Sequence, residues 1–159
     1  MVKNIGLTVL AATLLAVSAQ ASECLNALAP PEGFAAVDGP LESWCSANRV
    51  ACFAAERLCD DEAVDSELWP ATTRRLDTIM RASTSTKRLP REEPGSLQRR
   101  KAVEVMYAVV PMVAPNGGPA LYDKIIEAEE SVKKARGESA AAYQVRKIEA
   151  LLEVMLNSL

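Results

Sequence analysis

The chain has 159 residues, carries a formal net charge of −3 at pH 7, and contains no histidine. The missing histidine excludes Ser-His-Asp and Cys-His catalysis and removes the commonest protein ligand of metals, so we expect no catalytic triad, metal or cofactor. A chain of this length can form one domain with a modest hydrophobic core.

The first 21 residues have the pattern of a secretory signal peptide. Lys3 supplies a positive start, residues 5–17 form an apolar run without charge, and Ala19-Gln20-Ala21 has the small-x-small pattern of a cleavage site. We therefore expect cleavage after Ala21, a periplasmic or secreted address, and one mature domain over residues 22–159. No later segment is apolar over the length of a bilayer, so we expect no stable membrane insertion after cleavage.

The four cysteines, an even number in an oxidising compartment, predict two disulfides. Cys45, Cys52 and Cys59 are seven residues apart, so on one unbroken helix neighbouring Cα atoms would be about 10 Å apart. A disulfide needs Cα atoms within about 7 Å, so either the helix breaks or one of the three pairs with Cys24 and another is left over. We expect a break near Asn48, with Cys45 joined to Cys52 and Cys24 joined to Cys59, which is one of three connectivities.

Beyond an irregular arm at residues 22–40, the apolar residues recur at helical spacing, and no segment alternates as a strand would. We predict an all-α fold, a small bundle of about five helices that disulfides staple near its N-terminus. The predicted helices cover residues 41–58, 66–83, 97–110, 119–136 and 139 to near the end. The predicted boundary residues are Asp65 or Ser66, Ser96, Pro111, Gly137 and Ser139.

Two of these helices have apolar faces that bear on function. The third, residues 97–110, is predicted to bury Ala102, Val103, Met106, Val109 and Val110. The last has the widest apolar stripe, which consists of Val145, Ile148, Leu151, Leu152, Met155, Leu156 and Leu159. Such a stripe usually packs in a core, but it would also suit a ligand held between the C-terminal helices.

Charge is unevenly distributed along the chain. Residues 74–101 hold nine bases and three acids, whereas residues 22–67 hold ten acids and two bases. Either the acidic part neutralises the basic segment within the fold, or the basic segment contacts an anionic partner. Residues 70–106 contain no aromatic side chain on which bases could stack, so we expect no nucleic-acid binding.

These observations predict a non-enzymatic protein. The adjacent carboxylates Glu92-Glu93 and Glu129-Glu130 point about 100° apart on a helix and do not converge on one atom. We expect the protein to act through protein–protein contact, as an inhibitor, immunity protein or assembly accessory, with Arg88, Arg91, Arg99 and Arg100 as contact residues. The alternative is a periplasmic binding module for a small apolar or lipid ligand between the C-terminal helices, and a homodimer through those helices also stays open.

Overall fold

The computed structural model describes residues 41–59 and 66–159. These ranges form six α-helices and contain no strand, so the prediction of an all-α bundle is confirmed. The helices are α1 (Leu41–Ala47), α2 (Arg49–Leu58), α3 (Trp69–Ser85), α4 (Pro94–Val113), α5 (Pro119–Ser131) and α6 (Ala140–Leu156), with a 3-10 turn at Ala114–Asn116. Across the same ranges, no helix combines the length and the apolar character needed to cross a bilayer.

Several predictions concern residues that lie outside these ranges. They are the signal peptide at residues 1–21, the arm at residues 22–40, the cysteine at position 24 and the cap at Asp65. The alternative cap, Ser66, accepts a hydrogen bond from the Leu68 backbone N–H at 3.2 Å. Helix α3 begins three residues after Ser66, at Trp69, with Pro70 in its first turn.

The first predicted helix is two helices, because Asn48 interrupts it. Its backbone angles, φ −135° and ψ 47°, lie outside the helical range. The break brings the Cα atoms of Cys45 and Cys52 to 5.2 Å, and a disulfide joins the two residues. The predicted break and this pairing are therefore confirmed. Cys59 is also disulfide-bonded, whereas its predicted partner, Cys24, is outside the described residues.

Asn48 is buried, and its side chain connects three parts of the bundle. Its Nδ2 donates to the Trp44 carbonyl at 3.0 Å. Its Oδ1 accepts from Ser83 Oγ of α3 at 2.9 Å and from Lys101 Nζ of α4 at 2.8 Å. Burial lowers the pKa of the Lys101 ammonium, and the Ala47 carbonyl accepts a second hydrogen bond from that ammonium at 2.8 Å. We call Asn48, Ser83 and Lys101 the Asn48 junction.

Helices α2, α3, α4 and α6 enclose the core. Its fully buried side chains include Val50, Leu76, Ile79, Val105, Val109 and Leu152. Helices α4 and α6 start side by side, since a Cβ on Gly95 would lie 3.5 Å from that of Ala141. The Arg49 guanidinium ties α2 to α6 through two hydrogen bonds to Glu149, at 2.7 and 2.9 Å.

The limits of α4 differ from the prediction at both ends. The helix begins at Pro94 with Glu93 as its N-cap residue, so the proposed cap, Ser96, lies inside the first turn. Proline fits this position because the first helical N–H has no partner within the helix. At the other end, Pro111 does not stop the helix at Val110. The helix continues to Val113 and is followed by the 3-10 turn.

Helix α5 is shorter than predicted, ending at Ser131 rather than near residue 136. Side chains of α6 donate hydrogen bonds to backbone carbonyls just beyond this end. Tyr143 Oη donates to the Val132 carbonyl at 3.2 Å, and Arg146 donates to the Lys133 carbonyl at 2.8 Å. Gly137 is therefore not the C-cap of α5, and it lies with φ 79° in the turn before α6. The cap of α6 is confirmed, because Ser139 Oγ accepts from the Ala142 N–H.

Removal of the Asn48 side chain should destabilise the whole bundle. In the Asn48→Ala variant, the buried Ser83 hydroxyl and the half-buried Lys101 ammonium lose a shared acceptor. We expect a loss of about 2–3 kcal/mol in the free energy of unfolding, measured by urea denaturation of the oxidised protein.

Asn157→Ala is the matched control, because Asn157 is exposed. It should change the free energy of unfolding by less than about 0.5 kcal/mol. Equal losses in the two variants would show that the Asn48 junction does not stabilise the bundle.

Candidate functional site

Helix α5 stands outside the core. None of its residues is buried, and its apolar side chains Leu121 and Ile125 are only half-buried. The helix packs mainly against α6. Lys147 Nζ of α6 binds Glu129 Oε1 of α5 at 2.7 Å, and this hydrogen bond raises the pKa of the lysine.

The turn that follows α5 is fastened to α6 through Glu138. Its carboxylate accepts two hydrogen bonds from Arg146, at 2.7 and 2.8 Å, and one from the Ala135 N–H at 2.9 Å. The bonds from Arg146, followed by the one from Ala135, lower the pKa of Glu138 to about 2. These contacts therefore hold the turn at residues 135–138 against α6.

An apolar groove of about 340 Å³ opens between α4 and α5, with α6 as its floor. Its ten lining residues are Met106, Val110, Val113, Ala114, Gly117, Leu121, Tyr122, Ile125, Leu151 and Met155. No charged side chain contributes to this lining. We refer to the space bounded by these residues as the apolar groove.

Large exposed apolar side chains concentrate on the two helices between which the apolar groove opens. Six such residues are exposed among those that the structure describes, and four of them belong to α4 or α5. These four are Tyr107 (63% exposed), Val110 (46%), Tyr122 (66%) and Ile126 (53%). The sequence predicted Val110 as core, but Val105 and Val113 are buried instead. We call these four side chains the apolar rim.

A second pocket of about 470 Å³ lies one helical turn away, toward the starts of α4 and α6. Its lining residues are Thr86, Arg99, Arg100, Val103, Glu104, Ala140, Gln144 and Ile148. Val103 precedes Met106 of the groove by three residues on α4, and Ile148 precedes Leu151 by three on α6. The pocket and the groove therefore lie next to each other along these two helices. We call the two together the furrow, which is polar at one end and apolar at the other.

Three of the four predicted contact arginines surround Glu92. Arg88 donates to the Glu92 carbonyl at 2.8 and 3.1 Å, and Arg100 lies 3.5 Å from the Glu92 carboxylate. Arg91 precedes Glu92 in the chain and has a positive φ of 61°. Pro90 and Arg91 are the central residues of a turn that the Glu92 N–H closes onto the Leu89 carbonyl at 3.1 Å.

The fourth arginine, Arg99, lies in the polar pocket of the furrow. Arg91 and Arg99 are both exposed, and neither forms an ion pair with another described residue. Two ion pairs, Arg81 with Asp77 and Arg100 with Glu92, join residues within the basic segment. That the acidic N-terminal part neutralises the basic segment stays a prediction, because residues 60–65 are outside the described ranges.

The furrow offers an exposed surface for binding. In the described ranges, no three Cys, Asp or Glu side chains are grouped so that they could hold a metal ion. Burial raises the pKa of Glu56, which lies beside the Cys45–Cys52 disulfide. No protein family, curated protein or solved structure matches this chain. The furrow is the feature from which a function can be argued.

Acid should loosen the turn between α5 and α6. Because the folded-state pKa of Glu138 is depressed from 4.5 to about 2, its contribution to stability is present above pH 4.5 and is lost as the pH falls toward 2. Carbon-detected NMR of the Glu138 carboxyl should give a midpoint near 2, with backbone shifts in residues 131–138 following the same curve.

The Glu138→Gln variant controls for the other carboxylates that titrate in this range. Its backbone shifts in residues 131–138 should already differ from the parent at pH 7 and should lack the transition near pH 2. A Glu138 midpoint near 4.5 in the parent protein would contradict the assignment.

Proposed function

We propose that the protein is a non-enzymatic, exported helical protein that acts by binding another protein. The observation that carries this proposal is the apolar rim, four large side chains that stay 46–66% exposed on the two helices between which the apolar groove opens. Exposed apolar surface that is contiguous, rather than scattered, is typical of protein contact sites. Tyrosine, which supplies two of the four, is enriched at such sites because it buries large area with little loss of conformational freedom.

The disulfides support an oxidising address for the protein. The Cys45–Cys52 bond and the bonded state of Cys59 are typical of secreted and periplasmic proteins. Together with the signal-like pattern at residues 1–21, they favour a periplasmic or secreted protein. Inhibitors, immunity proteins and assembly accessories all act by contact in such compartments, and the identity of the partner would distinguish them.

The second candidate function is binding of a small apolar or lipid ligand. A volume of about 340 Å³ favours it, because it falls within the roughly 300–1,000 Å³ of ligand pockets. Such pockets also present a few converging polar groups that orient the ligand, whereas Tyr122 supplies the one hydroxyl in this lining. Tyr107 and Ile126 belong to the apolar rim but not to the lining, so a ligand confined to the groove would leave them exposed. A protein partner accounts for both sets of residues.

A charge placed in the apolar groove should abolish partner binding without unfolding the protein. We expect the Val110→Asp variant to keep its helicity by circular dichroism, because Val110 is 46% exposed. Binding should weaken more than tenfold, since an aspartate would be desolvated without a counter-ion in the complex. The measurement is affinity capture from an oxidised envelope extract with the full chain, followed by mass spectrometry of stoichiometric species.

Leu68→Asp is the matched control, because Leu68 is an exposed aliphatic residue that lies outside the basic segment and does not line the groove. The proposal requires that the parent and Leu68→Asp capture the same protein and that Val110→Asp does not. Equal capture by the parent and both variants would show that the groove is not the contact site. A captured acyl lipid in place of a protein would favour the second candidate.

A further inference from the structure

The two ends of the furrow differ in electrostatic character. The charged residues that line the polar pocket are Arg99, Arg100 and Glu104, an excess of one base, whereas the lining of the apolar groove has no charge. Helices α4 and α6 both begin at this end, as the proximity of Gly95 to Ala141 indicates. The positive ends of two helix dipoles therefore add to the excess of basic side chains.

The excess charge is available at Arg99. Arg88 and Arg100 already bind backbone carbonyls of residues 86–93, the segment between α3 and α4. Arg88 donates to the Glu92 carbonyl and Arg100 donates to the Lys87 carbonyl. Arg99 is exposed, lines the furrow and makes no ion pair with another described residue. A carboxylate placed beside Arg99 would therefore gain a counter-ion without displacing an existing pair.

The furrow has the length of a short helix. Residues 99–113 of α4 run along it from the polar pocket to the far end of the apolar groove. At about 1.5 Å per residue they span about 21 Å, which a partner helix of about 14 residues would match. Such a helix would place apolar residues at i, i+3, i+4 and i+7 against the groove and the apolar rim.

We infer that the furrow binds an amphipathic helix of the partner protein, with acidic residues in the terminal turn that meets Arg99. The inference rests on the proposed function and adds the chemistry of the partner. The apolar face of that helix would cover Val110, Tyr107 and Tyr122. Its acidic turn would set the direction in which the helix lies, because the apolar end of the furrow offers no basic side chain in its lining.

The test is selection of binding sequences from a displayed library of random 18-residue helical peptides against the full, oxidised chain. We expect enriched peptides to have one apolar face and Asp or Glu in one terminal turn. Their affinity should fall roughly fivefold to tenfold for Arg99→Glu, and this effect should shrink as salt screens the charges. Arg75→Glu, an equal charge change at an exposed residue outside the furrow lining, should leave the affinity unchanged.

Charge exchange separates contact with Arg99 from an indirect effect of the substitution. A selected peptide whose acidic turn is replaced by lysines should bind Arg99→Glu better than it binds the parent protein. Peptides that require Val110 but bind Arg99→Glu and the parent equally would overturn the inference and leave the proposed function standing. If no selected peptide depends on Val110, both fail.

Two other occupants of the furrow would also overturn the inference, and native mass spectrometry of the purified full chain identifies each. One is a second copy of the chain, seen as a dimer in the parent and a monomer in Val110→Asp. The other is a copurified acyl lipid that Val110→Asp lacks. The inference requires a monomer of the parent chain free of such ligands.

Discussion

The buried amide of Asn48 must find hydrogen-bond partners inside the core, because water does not reach it, and this constraint shapes the bundle. A helix that ran through residue 48 would keep Cys45 and Cys52 too far apart for a disulfide. Once the helix breaks there, the Asn48 side chain is satisfied by the Trp44 carbonyl, Ser83 and Lys101. Asn48 thus fixes α1 and α2 against α3 and α4. The Cys45–Cys52 disulfide spans the same break and links α1 to α2.

The position of α5 follows from how the core is filled. Helices α2, α3, α4 and α6 bury the large apolar side chains, and α5 contributes none that is fully buried. The ion pair of Lys147 with Glu129 holds α5 beside α6, and the pair of Arg146 with Glu138 fastens the turn that follows α5. Because α5 does not close onto α4, the apolar groove stays open between them and the apolar rim stays exposed.

The sequence predicted local structure better than it predicted the furrow. Cysteine spacing predicted the break at Asn48, and helical periodicity predicted the class of fold, because both depend on geometry within one segment. Helix ends were harder: Ser96 and Pro94 are both sound starting residues, and the end of α5 depends on Tyr143 and Arg146 of another helix. Val110 was assigned to the core because periodicity shows that a helix has an apolar face, but not which neighbour covers it. The furrow could not be predicted from sequence, because it depends on how α4, α5 and α6 are placed against one another.

The measurement that tests the central claim most directly is site-specific photo-crosslinking in the living cell. A photoreactive phenylalanine analogue would replace Tyr122 of the apolar rim in one variant and exposed Arg75 in another. We expect one protein adduct of defined mass from position 122 and none from position 75. Equal adducts from both positions, or a lipid adduct from position 122, would contradict the claim that the furrow is a protein-binding surface.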